Sequence, residues 1–129
     1  MTPEQEQFLR DHLHAVLATG RRDGSPQIST MAYIFDGAHV YMSVTTDRAK
    51  WHNVGRQPKV AMVVNEGQRQ LVLYGTATRV SDDPERVRAT RKLRLANGME
   101  SDEDDAALAG QLDSDKRVIL KITPDKVTT

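Results

Sequence analysis

Ser43-Val44-Thr45-Thr46-Asp47-Arg48-Ala49-Lys50-Trp51-His52-Asn53-Val54-Gly55-Arg56-Gln57-Pro58-Lys59 reads as the end of a strand, a short helix and the start of another strand. The helix is predicted from Asp47 to about Gly55, stopped by that glycine and by Pro58 soon after. Three hydroxyls, on Ser43, Thr45 and Thr46, lead into its N-terminus, where unpaired backbone N–H groups and the helix dipole favour an anion. Arg48 and Lys50 follow in the first turn, where carboxylates normally belong. Two cations there point to an anion that offsets their cost, the alternative being a solvated surface turn.

Strand patterns lie on both sides of this stretch. Gln27 to Phe35 alternates, with Ile28, Thr30, Ala32 and Ile34 on one face and Ser29, Met31, Tyr33 and Phe35 on the other. Asp36-Gly37 is a hairpin turn, and His39 to Val44 returns with Val40, Met42 and Val44 on one face. Beyond the helix, Lys59 to Val64 is nearly all apolar, and Leu71 to Val80 alternates after a loop at Asn65-Glu66-Gly67-Gln68. His14 to Thr19 reads as a short buried strand, and Lys116 to Thr123 as the last one, ended by Pro124.

The remaining segments are helical. Thr2-Pro3-Glu4-Gln5 carries a capping threonine and a proline at the first helical position, and the helix runs to about His12. Asp83 and Pro84 start another that reaches Ala96, and Ala106 to Leu112 forms a short one. Six strands in hairpin order with helices inserted between them predict a mainly antiparallel α+β domain, closed as a small barrel, over residues 1–129.

Composition narrows the function. The 129 residues include 18 basic and 18 acidic side chains, so no overall charge draws the chain to nucleic acid. Absence of cysteine excludes disulfides, thiolate metal sites and cysteine nucleophiles. The polar N-terminus and the short apolar runs predict a soluble, cytoplasmic protein without a membrane span. No nucleophile elbow, phosphate loop or dinucleotide fingerprint occurs. His12-Leu13-His14 lacks a third ligand nearby, and no metal site is expected. The helix carrying Arg86, Arg88, Arg91, Lys92 and Arg94 lacks aromatic residues for base stacking, and its charge reads as a solvated face partly neutralised by Glu100 to Asp105.

Three segments together resemble a known family: Pro26 to Asp36, Ser43 to Lys50 with its Arg48-Ala49-Lys50, and Asn53 to Ala61. In order and spacing they are similar to the split β-barrel flavin and deazaflavin oxidoreductases, the pyridoxamine 5′-phosphate oxidase-like superfamily. The short chain and the Arg-Ala-Lys step most resemble the branch that uses coenzyme F420. The resemblance implies a six-stranded, FMN-binding type of split barrel that forms a homodimer with cofactor at the subunit interface. It implies that Ser43, Arg48 and Lys50 hold a phosphate, with Val44, Ala49 and Trp51 beside it, and that Ile28, Ser29, Thr30 and Met31 offer backbone groups to the ring. Arg56, Lys59 and the basic helix would face the coenzyme's oligoglutamate tail.

The implied chemistry is hydride transfer from F420H2 to an activated double bond or similar small-molecule acceptor. The alternatives are an FMN enzyme of the same fold and a carrier of flavin, haem or another ligand. A cofactor that owns the hydride explains the lack of a catalytic triad, because the protein need only orient it. Charge-assisted phosphate contacts of about 1.5–3 kcal/mol each would let Arg48 and Lys50 dominate binding. Two features depart from the family pattern: the sequence ends at Thr129 without the aromatic tail that covers the ring in many relatives, and Gly55 replaces a frequent leucine, which is expected to loosen the helix.

Overall fold

The computed structural model describes residues 1–129. In chain order the elements are α1 (Pro3–Arg10), β1 (His14–Gly20), β2 (Pro26–Ala32), β3 (Ile34–Phe35), β4 (Val40–Thr45), α2 (Ala49–Arg56), β5 (Lys59–Glu66), β6 (Arg69–Val80), α3 (Glu85–Ala96), α4 (Asp105–Ser114) and β7 (Arg117–Thr128). All strands join one sheet in the order β2-β1-β5-β6-β7-β4-β3, and every neighbouring pair is antiparallel. No helix is long and apolar enough to cross a membrane.

The two outermost strands of that order, β2 and β3, are consecutive in the chain and separated by Tyr33 alone. Laid flat, seven strands would put their outer members about 29 Å apart, at ~4.8 Å per step. A one-residue link spans only about 7 Å. The sheet therefore curls on itself into the split half-barrel, with its seam beside Tyr33.

The split at Tyr33 makes seven strands of the expected six, because Gln27 to Phe35 is not one strand. The Tyr33 N–H donates to the Leu13 carbonyl (3.0 Å), closing the β1–β2 register beyond His14 and Ala32, and its buried hydroxyl donates to the Leu9 carbonyl (2.6 Å), tying the end of β2 to α1. Beyond it, Ile34 and Phe35 pair with Tyr41 and Val40 across the Asp36-Gly37 turn. Burial pushes the Tyr33 phenol above its usual pKa range, so it stays a neutral donor.

The last strand also differs: it continues through Pro124 to Thr128. The register shifts between Tyr74 and Gly75, leaving Asp125 as an extra residue next to the proline, so the bulge absorbs the missing N–H. The loop expected at Asn65 to Gln68 shrinks to a two-residue turn, with Gly67 at φ 60°. Helix α1 ends at Arg10 and α3 begins at Glu85, where Asp83 accepts the Val87 N–H at 3.1 Å.

The alternation read from the sequence sorts the side chains as expected. Val40, Met42 and Val44, then Leu71, Leu73 and Ala77, line the barrel interior with Leu120 and Ile122, while α1 and α2 contribute Phe8, Leu9, Trp51 and Val54. Outside, α3 covers Tyr41, Val80 and Ile119 with Ala89 and Leu93. Three of the five basic residues of α3 act as internal ties: Arg86 pairs with Asp83 and Asp113, Arg91 with Asp105, and Arg94 with Glu103, each at 2.8 Å.

Replacing Tyr33 by phenylalanine keeps the packing but strands the Leu9 carbonyl. The expected loss is about 1–3 kcal/mol of unfolding free energy in urea denaturation. An unchanged midpoint would show that this bond does not hold the seam.

Candidate functional site

The start of α2 is where β4 leaves the sheet. Thr45 is the last β4 residue, paired with Arg117, and the Thr46 N–H then donates to the Lys116 carbonyl (3.1 Å). The Thr45 hydroxyl donates to the Asp47 carboxylate, which holds that acid below its usual pKa. Of the three hydroxyls leading into the helix, Thr45's is thus already engaged. The helix opens two residues later than expected, at Ala49, with Arg48 in extended conformation (φ −81°, ψ 144°) at the N-cap.

No side chain caps this terminus, and its first turn holds no acidic residue. The N–H groups of Ala49 and Lys50 have no carbonyl ahead of them within the helix. Lys50 is half-buried; that burial, and then the Arg48 guanidinium beside it, lower its pKa. Neither Arg48 nor Lys50 forms an ion pair, although nine such pairs occur in the chain. Open N–H donors, a positive dipole end and two cations without a counter-charge make a site suited to an anion.

Of the neighbouring residues, Ser43 is half-buried opposite Ile119, and Ala49 is exposed. Val44 and Trp51 are buried in the barrel core, so their side chains serve packing and only their backbone is open to a ligand.

Strand β2 supplies the second segment. It has β1 on one side and no neighbour on the other, so one edge of its backbone is free, and it approaches β4 across the seam. Ile28 and Thr30 point outward, with Ile28 65% exposed, whereas Ser29 and Met31 lie on the inward-facing set. Ser29 Oγ is the one buried side-chain oxygen or nitrogen in the chain without a hydrogen-bond partner. The seam thus brings together the two segments that the sequence singled out.

Two features were missed in the sequence. The Arg79 guanidinium lies over the Trp51 ring, 5.1 Å from its centroid, and against Gly55, where an added Cβ would sit 2.7 Å from Arg79 Cζ. Gly55 therefore makes room for Arg79, and the expectation that it merely loosens the helix is replaced. The second is a buried contact between Asn53 of α2 and Thr19 of β1. A polar amide between Trp51 and Val54, on a helix with a buried face, was the available signal. His12 turns back onto α1, with Nδ1 2.7 Å from the Phe8 carbonyl oxygen, and so takes no part in this site.

Comparison with known proteins agrees with this architecture. A solved structure described as an F420 reductase is 29% identical, with a TM-score of 0.77 over 99% of this chain and 98% of the other. A conserved hypothetical protein from Mycobacterium tuberculosis shares the fold at 23% identity, with a TM-score of 0.84 over 98% of this chain and 82% of that one. The haem storage protein of Vibrio cholerae shares it at 13% identity, with a TM-score of 0.72 over 98% and 92% of the two chains. The sequence itself matches the pyridoxamine 5′-phosphate oxidase family over residues 1–129, and with that match extending along the whole polypeptide the chain belongs to this family.

Proposed function

We propose that the chain is an F420H2-dependent oxidoreductase that passes a hydride to an activated double bond or similar small-molecule acceptor. The observation that carries this reading is the pair of cations, Arg48 and Lys50, without carboxylate partners at an uncapped helix start. A phosphate monoester matches that arrangement, with Ser43 on the strand that leads into it. The ring half fits the free edge of β2, where alternate residues, Ile28 and Thr30, turn their backbone N–H and C=O away from β1. Similarity along nearly the full length to an F420 reductase favours the deazaflavin over other phosphorylated rings.

When bound, the reduced coenzyme supplies the hydride, and the protein's part is to hold the phosphate, align the ring and exclude water. Exclusion of water calls for a second copy of the chain. The outer sheet face presents aligned rows, Ile28–Ala18–Ala61–Tyr74 and Thr30–Val16–Val63–Val72, which are mostly apolar where a solvated face would be polar. Tyr74 is 48% exposed in the single chain. We assign this face to the homodimer contact, which places the Ile28 end of β2 beside the partner.

FMN is the second reading, because the same cation pair serves its phosphate. Equilibrium titration of purified protein with each cofactor separates the two: F420 is expected to saturate at micromolar concentrations, and binding of FMN with none of F420 would reverse the assignment. Tight binding without turnover of any quinone, enone or tetrapyrrole acceptor would make the protein a carrier.

Arg48→Ala and Lys50→Ala are each expected to weaken cofactor binding by about tenfold or more, the worth of one charged contact. Titration curves that superimpose on the parent protein's for both variants would remove the phosphate assignment.

A further inference from the structure

One line of polar side chains crosses β1 and joins the helix bearing Lys50 to the strand bearing Ile28 to Met31. Arg56 Nη2 donates to Asn53 Oδ1, and Asn53 Nδ2 donates to Thr19 Oγ1 at 3.1 Å. The Thr19 hydroxyl donates in turn to Gln27 Oε1 at 3.1 Å, and Gln27 Nε2 donates to the Ile28 carbonyl at 3.3 Å. Every link runs in one direction, so the donors and acceptors along the line are mutually consistent.

Asn53 and Thr19 are each 3% exposed. The other two buried polar side chains, Arg86 and Thr90, both belong to α3. This contact is thus the one buried side-chain to side-chain hydrogen bond between α2 and the sheet. An amide and a hydroxyl gain nothing from burial unless they are bonded, and a pair of apolar side chains would fill the same space without that condition. Hydrogen bonds add a fixed register. The apolar anchors of α2, Trp51 and Val54, hold its depth in the core through contacts that carry no directional preference. Asn53 supplies a directional contact one turn beyond Lys50.

The geometry points to Asn53 and Thr19 as positioning residues that set the separation between the phosphate-binding start of α2 and the ring-binding edge of β2. This role rests on the functional reading above. A cofactor held at both ends gains from having the second contact made intramolecularly, and the gain vanishes once the two subsites no longer match its length. The relay therefore acts on the intact cofactor and not on either half alone.

The test uses the full-length chain and two ligands, F420 and its deazaflavin core lacking the phosphate, with FMN and riboflavin titrated in parallel. Thr19→Val and Asn53→Ala are expected to raise the dissociation constant of the intact cofactor by about tenfold while that of the core changes less than about twofold. Thr19→Ser, which keeps the hydroxyl, is expected to bind like the parent protein. Gln27→Met, at the half-buried end of the line, serves the same comparison if a buried substitution does not fold. Equal weakening of the intact cofactor and its core, or no weakening of either, would overturn the positioning role. Parent protein that binds neither pair would remove the functional reading, and this role with it.

Discussion

Tyr33 is the single residue between the two edges of a seven-stranded sheet, and its two hydrogen bonds, a last β1–β2 rung to the Leu13 carbonyl and a side-chain bond to the Leu9 carbonyl, tie the seam to α1. Both acceptors come from the end of α1 and the chain that follows it. The helix thus plugs the barrel with Phe8 and Leu9 and also accepts the side-chain bond from the seam. If the strand ran straight through Tyr33, Ile34 and Phe35 would extend β2, and Val40 and Tyr41 of β4 would lose their partners on that side. The seam, and with it the free edge of β2 beside β4, follows from this one constraint.

That seam decides what the rest of the chain can do. A closed barrel of this size would fill its interior with side chains and leave no backbone edge open. Here the interior is filled, by methionines and aliphatic residues from β1 and β4 to β7, so the ligand has no room inside. The open edge and the start of α2 both lie on the outside of the barrel. A site on such a surface is shallow unless another surface covers it, so in the proposed dimer the apolar outer rows ending at Ile28 and Tyr74 would serve the site as well as the assembly.

Much of this was legible in the sequence because it is written locally. The alternation of Val40, Met42 and Val44, or of Leu71 and Leu73, reports a core face within one strand, and Asp36-Gly37 marks its own turn. The cations at Arg48 and Lys50 stand out because they contradict the local helix rule. What could not be read depends on distant partners. Nothing near Tyr33 says that its hydroxyl meets a carbonyl 24 residues earlier, and nothing near Gly55 announces Arg79. Asn53 finds Thr19 at a separation of 34 residues. Pro124 read as a stop because a proline usually ends pairing, whereas the bulge at Asp125 lets β7 continue.

A net charge of zero conceals how the charges are arranged. Four of the 18 acidic residues, Asp83, Glu103, Asp105 and Asp113, are committed to the arginines of α3, and Asp47, the acid nearest to α2, is engaged by Thr45. The first turn of α2 itself carries no acidic residue. Each cation there faces a dipole end that disfavours it by about 0.3–1 kcal/mol, and burial and the neighbouring Arg48 disfavour Lys50 further. A carboxylate in that turn would relieve the repulsion, but it would also occupy the donors and repel a phosphate. Leaving the turn uncompensated costs the free chain little on that scale, while each charged contact to an anion is worth about 1.5–3 kcal/mol. The balance favours an anionic ligand over an internal partner, so under the proposed function the local instability at the start of α2 belongs to the phosphate site.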